Sequence, residues 1–444
     1  MNHSRKVDQD DIVRARNVLL ASGRRTPREE VDAYRVLAQV GPAAYLPLLV
    51  RALQRLSYDT GSGRKHASAL ALSEEAVAVA RSIDAAEPTR ADVLYRALDA
   101  CQRELYDVGR GVEGLVMRAE MVDIGRAQAE LSGVPAVRGL REWAAGLSDE
   151  GRYAEAADVM TELVAAVLPD GPGSGALAWS LLDWIAALHD AGRSAETLAA
   201  FETLVSMEAA EAANDRGSML CHLYALIGYA QMLDAHGRGE RASLVRHEAL
   251  TLLTGLADTG ERNIWSAYQT SFWVALLAFS GAERDRPAPD GPRPPSGAAP
   301  MHWSNDAKRR RSGSLHALRE EVDALAPRAA EDPDRHLAEL VRLHHVLTVR
   351  SAVHWEWRTH QFTEHMRSLF DDGVSLARRL YRHDPAEGAR ALARILIDRS
   401  TFHAAARDLG PALDDFHQAL RHLGEADRRA PRGSRPQRCR RPRS

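Results

Sequence analysis

The chain has 444 residues, of which 27% are charged and 6% aromatic. Alanine, leucine and arginine dominate, and the alternation of apolar and polar residues that is typical of strands is almost absent. This composition predicts an all-α protein. Its formal net charge is −3, but residues 428–444 hold eight arginines and no acid, so residues 1–427 carry a net charge of −11. This acidic part of the chain is unsuited to broad contact with nucleic-acid phosphates. Three scattered cysteines argue against a disulfide framework or a structural zinc site, and the absence of a long apolar run or signal-peptide core predicts a soluble, cytoplasmic protein.

The N-terminal segment, residues 1–90, is predicted to be helical. Within it, Thr26-Pro27-Arg28-Glu29 has the order of a capped helix start, with threonine at the cap, proline in the first helical position and glutamate three residues after the cap. We expect a loop at 59–63 and an alanine-rich helix at 68–83.

The most informative feature is a pattern that occurs four times between residues 91 and 256. A leucine is followed seven residues later by a second leucine and, four residues after that, by Gly-Arg, so that the glycines lie 42, 41 and 45 residues apart. The leucines share one helix face, and the glycine suits a left-handed helix end. A period of this length predicts stacked helical hairpins that bury their apolar faces against their neighbours. The four instances are Leu98–Leu105–Gly109-Arg110, Leu140–Leu147–Gly151-Arg152, Leu181–Leu188–Gly192-Arg193 and Leu226–Leu233–Gly237-Arg238.

The remainder of the chain divides by composition. A further hairpin is expected from residues 264–279, which extends the array over 91–282. The proline-rich stretch 283–312 predicts a linker or an ordered loop. Helices should resume over 313–424, and the arginine-rich end, 425–444, should be disordered because it cannot bury a core.

With its leucines, its Gly-Arg turn and a small residue five positions after the glycine, the array resembles tetratricopeptide repeats. The small position holds Gly114, Ala156 and Ala242, while Thr197 departs from the pattern. One more unit in the C-terminal segment is suggested by Leu396 and by the spacing of Ala412, Phe416 and Ala419. The period is similar to the long variant found in kinesin light chain and in many bacterial signalling proteins, which suggests a bacterial source.

The resemblance implies a right-handed superhelix whose first helices line a concave groove that binds peptides or protein segments. Tyrosine, tryptophan and arginine at the groove positions would each supply a large contact area together with a hydrogen-bonding group. The alternative for Trp179 and Tyr224 is that they pack between adjacent hairpins. The implied partner-binding residues are Arg96, Arg103, Tyr106, Arg138, Arg141, Trp179, Asp183, His189, Tyr224 and Gln231.

Other motifs carry weaker chemical signals. The letters GxGxxG occur at 109–114, but a leucine-spaced helix precedes them where a dinucleotide site needs a strand. The stretch 344–365 is rich in histidine and tryptophan, and on a helix His360 and Glu364 would lie one turn apart and could share a metal with His345 or His403. The basic run 308–311 and the arginine-rich end allow a transcriptional regulator as a further alternative.

These observations favour a non-enzymatic interaction scaffold or regulatory adaptor that holds a protein segment in the concave groove. We predict no catalytic residue, no cofactor and no metal, a protein or peptide partner, and neither nucleic acid nor a membrane as the binding target. The alternative is an enzyme or a ligand or metal sensor that uses the His/Trp-rich stretch 344–365.

Overall fold

A computed structural model describes residues 7–21, 23, 25–63, 65–168, 175–214, 218–259, 267–280, 305–355 and 359–429. These residues form helices throughout, and they contain no strand and no helix that is both long and apolar enough to cross a membrane. The helices are α1 Gln9–Leu20, α2 Pro27–Val40, α3 Pro42–Ser62, α4 His66–Arg81, α5 Arg90–Asp107, α6 Gly111–Ser132, α7 Leu140–Asp149, α8 Tyr153–Val167, α9 Gly175–Asp190, α10 Ser194–Asn214, α11 Met219–Ala235, α12 Gly239–Thr259, α13 Ala267–Leu277, α14 Asn305–Glu331, α15 Pro333–Trp355, α16 Thr359–His383, α17 Pro385–Ala405 and α18 Leu409–Arg429.

Sequential packing organises these helices into a solenoid. Each helix from α1 to α12 packs on the next one, and the same holds from α14 to α18. The predicted all-α stack of hairpins is therefore confirmed, while the right-handed sense of the superhelix stays a prediction.

The Gly-Arg turn has the same geometry in all four repeats. Each glycine takes a left-handed conformation, with φ between 69° and 80°. The following arginine then donates its backbone N–H to the carbonyl of the second leucine, as Arg110 does to Leu105 at 2.8 Å and Arg193 to Leu188 at 2.9 Å. This bond satisfies a carbonyl that the helix end would leave without a partner.

The arginine side chain of the turn also has a recurring role. In the first three repeats its guanidinium group forms a bidentate ion pair with the glutamate three residues later, in the first turn of the next helix. The Nη2–carboxylate distance is 2.6 Å in each repeat, and the Nε–carboxylate distance is 2.7 or 2.8 Å. The pairs are Arg110–Glu113, Arg152–Glu155 and Arg193–Glu196. Because these ion pairs are exposed to solvent, they contribute little to stability.

We expect Gly192→Val to lower the free energy of unfolding by about 1 kcal/mol or more, because valine is strained at the φ of 73° that this turn requires. Thermal and urea unfolding of the two proteins measure the effect. Gly255→Val is the matched control, since Gly255 is exposed inside α12 and a Cβ there meets no atom within 4 Å. An equal response of the two variants would contradict the assignment of the turn.

The last hairpin, α17–α18, repeats this turn without a glycine. Arg407 takes the left-handed conformation at φ 67°, and Asp408 donates its backbone N–H to the carbonyl of His403 at 2.8 Å. His403 and Arg407 follow Leu396 at the spacings of the repeat, and the predicted small and large positions on α18 are fully buried. The local geometry therefore matches the repeat where the Gly-Arg letters are absent.

Three local predictions were wrong. The expected loop at 59–63 is instead the last turn of α3, where Thr60 and Ser62 donate their hydroxyl groups to the carbonyls of Leu56 and Asp59. Residues 305–312 of the predicted linker begin α14, and 425–429 of the predicted tail complete α18, which packs on both α17 and α12. The rest of the predicted linker, 283–304, and the rest of the predicted tail, 430–444, lie outside the described residues.

The cores cross the domain boundaries expected from composition. One buried cluster joins Val31 to Met121, and a larger one joins Leu115 to Ala419. The C-terminal helices lie against first helices of the array: α14 contacts α5, α17 contacts α11, and both α15 and α17 contact α13. Part of the predicted inner surface of the array is therefore covered by the chain itself.

Candidate partner-binding groove

The predicted groove residues of the first unit differ in exposure. Arg96 and Arg103 are exposed on α5, and Arg103 forms an ion pair with Asp99 on the same helix. Tyr106 is 3% exposed, and the guanidinium carbon of Arg118 lies 4.1 Å from the centre of its ring. Arg96 and Arg103 remain available to a partner, whereas the ring of Tyr106 is a packing element.

The close approach around Tyr106 also explains the letters GxGxxG. Gly109 forms the left-handed turn, and a Cβ on Gly114 would lie 2.8 Å from the Tyr106 ring. The third glycine of the motif thus allows α6 to pack on Tyr106, and a helix, α5, precedes the motif as the sequence predicts.

The predicted arginines of the second unit connect helices. Arg138 stacks on Tyr95, with 3.8 Å between its guanidinium carbon and the ring centre, and pairs with Asp92 at 2.6 Å. Arg141 forms an ion pair with Asp183, which is 7% exposed, and donates to Ser180 at 2.8 Å. The charge of Arg141 is thereby neutralised within the array and links α7 to α9, while the predicted role of Arg141 and Asp183 as groove contacts stays a prediction.

The aromatic residues of the third and fourth units follow the packing alternative. Tyr224 is 2% exposed, and Trp179 is half-buried with its ring 6.1 Å from that of Phe272 in α13. His189 is also half-buried, and its ring lies 6.3 Å from those of His236 and Phe279. The expectation that Tyr224 faces a partner was wrong because α11 is buried between its neighbours.

Gln231 marks the junction between the array and the C-terminal helices. Its side-chain amide donates to Asp398 of α17 at 2.9 Å, and Asp398 also pairs with His345 Nε2 of α15 at 2.6 Å. Asp398 is 1% exposed and His345 is 6% exposed. Close by, the indole of Trp273 donates to Thr401 at 2.7 Å. These contacts form a polar junction, which we define as Gln231, His345 and Asp398, and of which Gln231 is half-buried and the other two are buried.

Two cavities flank α17 on either side of this junction. The first, of about 550 Å³, lies among α11, α12, α17 and α18, and the second, of about 700 Å³, lies among α15, α16 and α17. Arg390 and Arg394 line both, so the cavities adjoin along one face of α17. We call the two cavities together the α17 groove.

The α17 groove combines an apolar floor with arginines. Met232, Ile397 and Leu423 contribute to the floor of the first cavity, and Leu380 and Ile395 to that of the second. Apolar floors with a few polar groups at the edge are typical of sites that bind an extended segment or a ligand. This groove could not be predicted from the sequence, because it is assembled from helices that are far apart in the chain.

The His/Trp-rich stretch does not form one helix. It is divided between α15, which ends at Trp355, and α16, which begins at Thr359. The side chain of His360 lies outside the described residues, so the suggested pair with Glu364 stays untested. His344 and His403 are buried, and burial lowers the pKa of both imidazoles because the protein interior disfavours their charged forms.

One cluster of possible metal ligands was missed by the sequence analysis. His66 at the start of α4 lies beside two carboxylates at the end of α5, with its Nδ1 3.4 Å from Glu104 and 3.9 Å from Asp107. Burial raises the pKa of Glu104, and the nearby Asp107 adds to that rise. The three groups could together approach a divalent cation, but their contacts also suffice to join α4 to α5.

Comparisons with known proteins leave the family open. No protein-family model matches the chain, and no curated protein matches it. Among solved structures, the chain is similar to one from the structure of Naa15/Naa10 bound to HypK-THB, at 12% sequence identity and a TM-score of 0.32, over 95% of this chain and 67% of that chain. Since that likeness is too low to carry an argument, the assignment as an all-α helical solenoid rests on the helices and their packing.

Proposed function

We propose that this chain is a non-enzymatic interaction scaffold or regulatory adaptor of the tetratricopeptide type, acting in the cytoplasm, which binds a segment of another protein. The observation that supports this most is the α17 groove, an apolar surface edged by arginines and positioned by rigid helices. Preformed helices bind without the entropic cost of ordering the site.

The location of the binding site differs from the one that the resemblance implies. Exposed Arg96 and Arg103 remain candidates on α5, but the contacts of α17 with α11 cover part of the expected concave surface. We therefore place the principal partner contact in the α17 groove and treat the exposed residues of α5 as a secondary contact.

Capture of partners from native lysate tests this proposal with a matched pair of variants. Gly424 lines the first cavity and Gly255 is exposed elsewhere, and at both positions a Cβ meets no atom within 4 Å. Tryptophan at 424 should fill the groove without a backbone clash, whereas tryptophan at 255 should leave the groove unchanged.

We expect a partner that binds wild type and Gly255→Trp but not Gly424→Trp, with the same result when the purified partner is mixed with each protein. Circular dichroism and melting curves confirm equal folding. Identical binding by all three proteins would contradict a site in the α17 groove. A loss of binding in Arg96→Glu/Arg103→Glu alone would move the site to α5.

A further inference from the structure

We propose that the α17 groove selects an acidic segment of its protein partner, in which glutamate or aspartate alternates with apolar residues. This inference rests on the proposed function and specifies the chemistry of the partner. It is carried by the arrangement of charge in the groove, which is opposite in sign to the charge of residues 1–427 as a whole.

Three arginines of the groove have no carboxylate partner within the described part of the chain. Arg390 and Arg394 are exposed, lie four residues apart on one face of α17 and line both cavities. Arg335 is exposed on α15 and faces the second cavity. A segment lying along α17 would therefore pass all three guanidinium groups.

The carboxylates that line the groove are largely occupied. Asp234 forms an ion pair with Arg246, and Glu339 pairs with Arg342 at 2.7 Å. Asp384 caps the start of α17 by accepting backbone N–H bonds from residues 386 and 387 at 2.8 and 3.2 Å. Five arginines thus line the groove with four carboxylates, of which the fourth, Glu387, lies three residues before Arg390 on α17. Two of the three arginines without a carboxylate partner, Arg390 and Arg394, lie where the cavities adjoin.

The floor of the groove favours an acidic protein segment over a nucleic acid as the ligand. The half-buried side chains of Leu420 and Leu423 would accept the alternate apolar residues of an extended segment, whereas the aromatic residue of the floor, Phe279, is 3% exposed and offers no face on which a base could stack. The chain's own arginine-rich end carries the same sign of charge as these arginines and is therefore a poor occupant of the groove.

The test uses three fluorescein-labelled peptides of about twelve residues, built from repeats of Glu-Leu, Gln-Leu and Lys-Leu, and a labelled oligothymidylate of similar length. Fluorescence anisotropy with the full chain should show that the Glu-Leu peptide binds at least about tenfold more tightly than the other probes, since charge complementarity selects among partners of one shape. Its affinity should fall as salt is raised from about 50 to about 300 mM because exposed charges are screened.

Arg390→Glu/Arg394→Glu should weaken binding of the acidic peptide by at least about tenfold, because two attractions become repulsions. Arg16→Glu/Arg51→Glu changes the net charge equally at exposed positions on α1 and α3 and should leave the affinity within about twofold. Equal binding of the Glu and Gln peptides, tighter binding of the oligothymidylate, or equal losses in the two double variants would each overturn the acidic preference. In those cases, a protein partner that binds wild type but not Gly424→Trp would still support the proposed function. Failure of the acidic preference can therefore be distinguished from failure of the proposed function.

Discussion

Replacing Asp398 with alanine should lower the free energy of unfolding by about 3–4 kcal/mol, because it removes a buried carboxylate that two helices share as a hydrogen-bond acceptor. Gln231 of α11 and His345 of α15 both bond to this carboxylate, at 2.9 and 2.6 Å. Without it, the buried imidazole of His345 and the half-buried amide of Gln231 lose this acceptor, at the contact between the array and the C-terminal helices. Urea unfolding followed by circular dichroism measures the change.

Two further variants separate the polar junction from a general effect of lost charge. Asp414→Ala removes an exposed carboxylate from the neighbouring helix α18 and should change stability by less than about 0.5 kcal/mol. His345→Phe and the double variant with Asp398→Ala complete a double-mutant cycle, in which we expect a coupling energy of about 1–3 kcal/mol. Additive effects would show that the two side chains contribute independently and would contradict the junction.

The junction also bears on the mechanism of binding. The cavities of the α17 groove lie on either side of Asp398, with Gln231 lining the first and His345 lining the second. Loss of the junction should therefore loosen the groove as well as the fold. Asp398→Ala protein is expected to bind partners of the groove more weakly even at temperatures where it remains folded.

The local fold could be predicted largely from the sequence. The spacing of leucines and glycines indicated the helical hairpins, because both the buried face and the left-handed turn impose strict residue types at fixed distances. The capped start at Thr26 is confirmed as well, with both reciprocal bonds between Thr26 and Glu29 formed. In the last hairpin, the spacing of apolar residues predicted a further unit, but the turn itself could not be predicted, since Arg407 makes it and arginine rarely takes a left-handed conformation.

The candidate site could not be predicted in the same way. Asp398 and Gln231 are 167 residues apart in the chain, and their contact depends on how the last helices return to the array. Apart from Arg138, which lies in the turn before α7, the residues proposed from the resemblance lie on the expected helices. The C-terminal helices cover part of that surface, so a rule based on repeat position alone could not separate exposed from buried members. Arg96 and Tyr106 on α5 illustrate the difference, because only the first remains exposed.

The closest helix contact near the groove gives a second large expected effect. Gly388→Ala should lower the free energy of unfolding by about 3 kcal/mol, since a Cβ at this position would lie 2.3 Å from the Cα and 2.4 Å from the backbone nitrogen of Tyr381 in α16. Backbone atoms cannot move aside as a flexible side chain can, so α17 would have to shift away from α16. Equilibrium unfolding in urea measures the loss.

The same substitution on the adjacent helix is the control for Gly388→Ala. Gly424 lies inside α18 with open space around a Cβ, so Gly424→Ala should raise stability by about 0.5–1 kcal/mol through helix propensity alone. Gly→Ala is thus expected to lower stability at 388 on α17 and to raise it at 424 on α18, which distinguishes an effect of helix packing from an effect of helix propensity. Because Arg390 lies two residues after Gly388, the shift of α17 should also weaken binding of the acidic peptide, whereas unchanged stability and binding would contradict the close contact that positions the groove.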